Sequence, residues 1–318
     1  MIFEAAGRPT LHFIGVTTGR SSIMRVFPAW ADYLGLKDAQ ISGMDFAPHS
    51  AAERYREAVD FIKNDPLSLG ALVTTHKLDL FAACRDRFDD IDPFAALLGE
   101  TSCLSKKGDR LVCHAKDPIS SGLAIDGFLA AGHFADSKAA LFAMGAGGST
   151  IAISWHLLQK TRGPDRPSRI VISDPSAARL DHVREIHRQM APDIPIDYVE
   201  VATVADNDAV LTGLPARSLV INATGLGKDA PGSPLGSAAC FPEAAVVWEL
   251  NYRGDLVFLE QARAQAAGAG LQVEDGWTYF LHGWTQVIAE VFDIQVPTSG
   301  EGFQAIGRIA AEAAKAAS

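Results

Sequence analysis

The residues whose types and spacing point most directly to chemistry are Gly145-Ala146-Gly147-Gly148-Ser149. An apolar run, Ala139 to Met144, precedes them. An apolar helical pattern follows: Ile151, Ile153, Trp155, Leu157 and Leu158. Strand, glycine turn and helix in that order place a pyrophosphate on a helix N-terminus. Gly145 would permit the tight turn, and Gly147 would let the backbone approach the phosphates. The third glycine of a dinucleotide fingerprint falls at Thr150, so the motif is incomplete. Further on, RIVISD (169–174) is an apolar strand ending in Asp174, where an acid can hold a ribose hydroxyl. The bland alternative is an ordinary strand–helix–strand unit with a glycine turn. His76 and His114 could mimic a metal pair. Without a carboxylate ligand set nearby they read as core or rim residues, and no metal is expected.

The elements that must position these residues follow from hydrophobic patterning. LHFIGV (11–16) reads as a strand, followed by the polar loop Thr17 to Ser22. Ser21 or Ser22 could cap the next helix, whose apolar side is Ile23, Val26, Phe27, Trp30 and Leu34 and which Pro28 should kink or delay. A helix over 51–63, a strand over 69–74 and a helix over 78–85 come next. A hairpin follows, 101–105 and 110–114 around Lys106-Lys107-Gly108-Asp109. A helix over 122–131, opened by Ser121, leads into the glycine-turn strand. From there strands at 139–144, 168–173, 196–201, 218–222, 245–249 and 270–273 alternate with helices, which argues a doubly wound parallel sheet. Two helices, 277–292 and 300–317, end the chain.

At 318 residues the chain has room for two domains of roughly 100–200 residues each. The net charge of −10 argues against nucleic acid and acidic membrane surfaces as partners. No apolar run approaches the roughly 20 residues of a membrane span, and the N-terminal stretch lacks a signal-peptide pattern, so a cytoplasmic protein is expected. The four cysteines, Cys84, Cys103, Cys113 and Cys240, show no CxxC spacing and read as buried free thiols.

Several segments, in order, are similar to the shikimate/quinate dehydrogenase family. GVTTGRSSIMRVFPAWADYLGL (15–36) resembles its G-x-P-x-x-H-S-x-S-P segment, and ALVTTHK (71–77) its N-V-T-x-P-x-K. LVCHAKD (111–117) stands where the family has N-T-D. MGAGGST (144–150) resembles the glycine loop, INATGLGKDAPGSPL (221–235) the N-A-T-x-x-G-M segment, and DGWTYFLHGW (275–284) the last motif. The resemblance implies an α/β chain: an N-terminal α/β substrate domain, a doubly wound Rossmann domain, and C-terminal helices packing back on the cleft. The expected boundaries are 1–120, with the 276–318 helices returning to it, and 121–275. It also implies Lys77 and Asp117 as the catalytic pair. Gly145, Ala146, Gly147, Gly148, Ser149, Asp174, Asn222, Ala223, Thr224 and Gly276 would lie at the cofactor, and Ser21, Thr75, Ser102, Tyr252 and Gln286 at the substrate.

The departures from the family pattern are as informative. Its two substrate-gripping serines fall at Ser21 and Ile23. Its Asn, Thr and Pro fall at Ala71, Val73 and Thr75, its hairpin Asn at Ser102, the Asn-Thr before its aspartate at Ala115-Lys116, and its cleft Gln at Gly283, with Gln286 one turn on. The catalytic pair is kept while most of what grips shikimate is changed. Removing hydride from a secondary alcohol requires the hydroxyl proton to leave too, and a lysine beside an aspartate can take it. Arg20, Ser21, Ser22 and Lys116 could bind an acidic group on the substrate. The reading is therefore a dehydrogenase acting on a small polyhydroxylated, carboxylated molecule other than shikimate, as a monomer or homodimer. NAD is expected rather than NADP. Asp174 opposes a 2′-phosphate, and Pro175-Ser176-Ala177-Ala178 supplies no cation before Arg179. The alternatives are a non-catalytic family member that senses a dinucleotide or ligand, and another two-domain Rossmann enzyme of the folate-dehydrogenase type.

Overall fold

The computed structural model describes residues 3–228 and 230–315. The chain divides into two compact units, Met1–Asp117 with Leu281–Ser318, and Pro118–Phe280. The first contains β1 (Thr10–Gly15), α1 (Ile23–Tyr33), β2 (Gln40–Asp45), α2 (Ala52–Asn64), β3 (Ser68–Val73), α3 (Lys77–Cys84), β4 (Asp90–Ile91), α4 (Pro93–Leu98), β5 (Cys103–Lys107) and β6 (Arg110–His114). The second contains α5 (Asp117–Phe128, whose first residue belongs to the first unit), α6 (His133–Ser137), β7 (Leu141–Met144), α7 (Gly148–Leu158), β8 (Ile170–Asp174), α8 (Ala177–Met190), β9 (Ile196–Glu200), α9 (Val204–Thr212), β10 (Leu219–Asn222), β11 (Val246–Glu249), α10 (Val257–Ala269) and β12 (Gln272–Glu274). Helix α11 (Trp277–Phe292) begins in the second unit and ends in the first, where α12 (Gly300–Lys315) closes the chain. The expected last two residues of that helix, 316–317, lie outside the described residues.

The first unit is built on a six-stranded sheet in the order β2-β1-β3-β5-β6-β4. Strands β1, β2 and β3 run parallel, and the β5–β6 hairpin adds antiparallel to β3. β1 is buried along its whole length, as a central parallel strand must be. β2 has no sequence signal: it is an edge strand of mixed polarity (QISGMD) with one buried residue. Its Gly43 is required, because a Cβ there would stand 2.0 Å from Thr18 Oγ1. Helix α12 is pinned to α1 by Trp30, whose indole N–H donates to the Ile306 carbonyl at 3.0 Å. Pro28 lies inside α1 and does not delay it, because the helix already starts at Ile23. Neither expected serine caps it by a side-chain hydrogen bond. Ser22 is helical itself, and its hydroxyl is buried without a partner.

The second unit is a six-stranded, all-parallel sheet in the order β12-β11-β10-β7-β8-β9. The chain starts at the centre with β7, winds out through β8 and β9, then returns to β10 on the other side. That reversal between β7 and β10 is the topological switch point of a doubly wound fold. Its core stacks Phe142, Val220, Val247, Leu211 and Phe258, all at most 2% exposed. Of the cysteines, Cys84, Cys103 and Cys113 are buried and free. Cys240 corrects the expectation, being exposed in the loop before β11. No described helix is long and apolar enough to cross a membrane.

Candidate active site

In the first unit, parallel pairing brings the ends of several strands to one sheet edge. Gly15, which ends β1, pairs with Asp45 of β2, and Ile14 pairs with Val73 of β3. The hairpin meets that edge from the other side: Val73 N–H donates to the Ser102 carbonyl and Ser102 N–H to the His114 carbonyl, both at 2.9 Å. Ser21, Thr75, Lys77, Ser102 and Asp117 therefore all leave the sheet at its carboxyl edge, where ligands of open α/β sheets bind.

Lys77 is the first residue of α3, and Asp117 the first of α5. Lys77 Nζ donates to Asp117 Oδ2 in a short ion pair, with the two side chains 22% and 12% exposed. Helix starts act differently on the two partners. The positive end of a helix dipole favours the carboxylate and works against the ammonium. Helix α5 starts at Asp117 rather than after Ser121, so Asp117 is a first-turn acid. Thr75, two residues before the lysine, is exposed and left-handed at φ +64°, a strained conformation for a β-branched residue. His76, which lies between them, is buried and shares a hydrogen bond of 2.9 Å with the Tyr55 hydroxyl. Burial lowers its pKa below the usual imidazole value.

Ser102 is 3% exposed, and its hydroxyl accepts the Lys116 N–H at 2.6 Å, so it fixes the strand that delivers Asp117. Lys116 does not stand ready for an acidic substrate group: its ammonium lies 2.7 Å from Glu290 Oε2 on α11. Glu290 also faces His114 at 3.6 Å and Lys107 at 3.3 Å. Despite burial, the Lys116 hydrogen bond and the other basic neighbours hold its carboxyl at about 2. Ser21 ends the 3₁₀ turn Thr18–Arg20, and the turn is anchored by Thr18, whose N–H donates to Asp45 at 2.8 Å. Gln286 is half-buried on α11. Glu100 was not foreseen. It is 3% exposed and senses both Lys77 and Asp117, and burial first, then Asp117, raises its carboxyl to about 7 against the pull of Lys77. Among the described residues no group of three or more His, Cys, Asp or Glu could hold a metal ion.

In the second unit, Gly145 follows β7 at φ +102°, and a Cβ there would stand 2.8 Å from the Ala223 carbonyl oxygen. Gly147 is exposed before the start of α7, with nothing within 4 Å of a built Cβ, so the backbone is open to a phosphate. Thr150, in place of the third glycine, is fully buried and donates back to the Gly145 carbonyl, closing the turn. Ser149 accepts from the Tyr279 hydroxyl at 3.4 Å. Asp174 ends β8 at 3% exposure, and its carboxylate accepts the N–H groups of Ala146 and Ser176, each at 2.8 Å. It therefore braces the glycine loop, and a ribose would share an already bonded carboxylate.

Asn222 is wholly buried at the end of β10. It donates to Glu249 at 2.7 Å and accepts from the Thr224 N–H and hydroxyl at 3.0 and 2.6 Å, so it shapes the Ala223-Thr224 loop from beneath. Glu249, a second unforeseen acid, is 0% exposed at the end of β11, and burial raises it to about 7. Gly276 has no room for a side chain, since its Cβ would meet the Leu250 carbonyl at 2.1 Å. Tyr252 belongs to this unit and packs in an aromatic cluster, 4.4 Å from Phe280 and 6.3 Å from Trp277.

No family model matches the chain. The shikimate dehydrogenase (NADP(+)) of Streptococcus gordonii is 26% identical over 195 residues, a match spanning 61% of this chain and 62% of that protein. The quinate dehydrogenase of Corynebacterium glutamicum, solved with NAD, superposes with a TM-score of 0.71 at 16% identity, covering 96% of this chain and 99% of that one. The 5-ketofructose reductase of a Gluconobacter species superposes with a TM-score of 0.67 at 16% identity, over 96% and 99%. The chain shares the fold of the shikimate and quinate dehydrogenases over 96% of its length, and is similar in sequence to one shikimate dehydrogenase over 61% of it.

Proposed function

We propose that this protein is a nicotinamide-dependent dehydrogenase that acts on a secondary hydroxyl of a small polyhydroxylated molecule. The observation that carries the reading is the Lys77–Asp117 pair, two helix-start residues 40 positions apart that meet at the carboxyl edge of an open sheet. In oxidation, Lys77 as the neutral amine takes the hydroxyl proton, and Asp117 orients the ammonium that results and accepts a hydrogen bond from the substrate. The cofactor would lie over the glycine turn. Gly147 leaves it room, Gly145 makes the tight turn, and the N–H groups opening α7 would face the pyrophosphate. When bound, it supplies the hydride chemistry.

Shikimate is not the favoured substrate in this reading. Ile23, Ala71, Val73 and Ala115 are buried apolar residues where the family motifs carry polar ones, and Lys116 is engaged with Glu290. Each lost hydrogen bond is worth about 0.5–1.5 kcal/mol. Several together lower kcat/KM by roughly 10²-fold, at about 1.36 kcal/mol per decade. The 5-ketofructose reductase neighbour is consistent with this fold serving a sugar-like substrate. NAD is the proposed cofactor. Asp174 places a negative charge at the end of β8, residues 175–178 carry no cation, and Arg179 is exposed on α8. The test is nicotinamide reduction across a panel of polyols and polyhydroxy acids with wild type and Lys77→Ala. Turnover with at least one substrate, lowered roughly 10²–10⁴-fold in the variant, is expected for a lost acid–base group. Lys77→Ala turning over like wild type would remove the lysine from the mechanism.

A further inference from the structure

Glu100 has no part in the chemistry just described, yet it is built into the same edge of the sheet. It follows Gly99, whose left-handed backbone ends α4 at φ +63°, and precedes Thr101, whose N–H donates to the Lys77 carbonyl at 3.2 Å. Its side chain is buried, and no described group hydrogen-bonds its Oε1. The charged groups that act on it are Lys77 from α3 and Asp117 from α5. The Cys113 thiol of β6 also senses it, but burial pushes that thiol up to about 12, so it stays uncharged through the neutral range. One ammonium therefore faces two carboxyl groups from separate segments of the chain.

We propose that Glu100 is a positioning residue that acts through Lys77, holding the lysine in its ammonium form and so favouring the carbonyl-reducing direction of the reaction; this rests on the dehydrogenase reading above. In that direction the substrate carbonyl oxygen takes its proton from Nζ. Lys77 is left as the neutral amine, and solvent returns the proton. The hydride and its electron pair belong to the nicotinamide. Working against the ammonium is the positive end of the α3 dipole. Working for it are Asp117 and, once ionised, Glu100. Below neutrality Glu100 is uncharged, because burial disfavours its carboxylate. Above neutrality it becomes charged and tightens the hold on the Lys77 ammonium.

The experiment is a ¹³C NMR titration of the full-length protein that follows lysine Cε and glutamate carboxyl carbons. Lys77 and Glu100 are assigned by the signals lost in Lys77→Arg and Glu100→Gln. In wild type the Glu100 carboxyl should titrate near neutrality, with a matching step at Lys77 Cε. In Glu100→Gln the Lys77 titration should fall by about one pH unit or more, the usual effect of losing a neighbouring opposite charge, and Glu100→Asp should restore part of it. The pH profile of carbonyl reduction should lose its alkaline side by the same interval, and alcohol oxidation near neutrality should gain roughly tenfold per unit. A Lys77 titration unmoved in Glu100→Gln would overturn the proposal. Should that variant not fold, the absence of the coupled step in wild type would overturn it equally. A protein that shows the coupling but turns over no alcohol or carbonyl would overturn the dehydrogenase reading and leave the coupling in place.

Discussion

Gly145 and Gly147 stand two residues apart in one turn, and the structure assigns them opposite kinds of failure. At Gly145 the backbone has φ +102°. A Cβ there would lie 2.8 Å from the Ala223 oxygen, 2.9 Å from its carbonyl carbon and 3.1 Å from the Thr224 nitrogen. All three are main-chain atoms at the end of a central strand, held by the Ala223 N–H bond to Met144 and by Asn222, so no side chain can swing away. A left-handed backbone costs a residue with a Cβ about 1–2 kcal/mol, and overpacking against rigid structure adds about 1–3 kcal/mol. The sum for Gly145→Ala, about 2–5 kcal/mol, converts to a Tm loss of about 4–20 °C at 2–4 °C per kcal/mol for a unit of this size.

At Gly147 the backbone is ordinary, with φ −102°, and a Cβ meets nothing within 4 Å. Gly147→Ala should therefore melt within about 1 kcal/mol of wild type, the residue being only a poorer helix cap. Its methyl instead occupies the approach of a phosphate to the turn. With NAD at 100 times the wild-type Kd, wild type gains about 2.7 kcal/mol of stability, and a variant binding tenfold more weakly gains about 1.4 kcal/mol. Calorimetric melting of the three proteins with and without NAD reads both effects. Gly145→Ala melting with wild type would refute the main-chain clash, and a full NAD-induced shift in Gly147→Ala would refute the phosphate approach at this turn.

Three further outcomes are expected. Asp174→Asn keeps the side chain's shape beneath Ala146 and Ser176 while removing its charge, so the kcat/KM preference for NAD over NADP should drop about tenfold. That is a third of the roughly 4 kcal/mol between unit charges about 4 Å apart at an effective dielectric of 20; an unchanged ratio would discard the assignment. Thr75→Gly should raise stability by up to about 1 kcal/mol by relieving the left-handed threonine, while lowering kcat if that conformation aims Lys77; a urea midpoint below wild type would refute the strain. Burial raises Glu249 from its ordinary 4.5 to about 7, so the folded state binds the extra proton and the contribution is full below pH 4.5 and lost as pH rises toward 7. The stability of wild type relative to Glu249→Gln should fall across that window by about 3 kcal/mol at most, and a difference flat with pH would show that Glu249 ionises normally.

Which parts of this molecule could be read from the sequence follows from what local patterning reports. Central parallel strands such as LFAM (141–144) and IVISD (170–174) are buried at every position and show as apolar runs. With a glycine turn between them they declare the doubly wound sheet; Lys77 and Asp117 instead follow strands β3 and β6 of the first unit. β2 was missed because an edge strand buried on few positions leaves no period to detect. The order of the hairpin strands beside β3 is likewise set by pairing and not by any one segment.

Glu100 and Glu249 were missed for a different reason. Each follows an apolar run in the sequence, where an acid ordinarily marks a strand end or a turn facing water. Only the folded chain shows that Glu249 is enclosed by Asn222 and Asn251, and that Glu100 is set beside a lysine 23 positions earlier and an aspartate 17 positions later. The same holds for Lys116 and Glu290, paired across 174 positions, which turns a residue that looked available to an acidic substrate into part of the scaffold. Residue type at a motif position identifies which groups can exchange a proton. The charge those groups carry at a given pH depends on burial and on neighbours brought in from elsewhere in the chain. In the proposed mechanism the direction in which Lys77 works is therefore a property of the assembled edge of the sheet, with Glu100 as its third member, and the lysine and aspartate alone do not determine it.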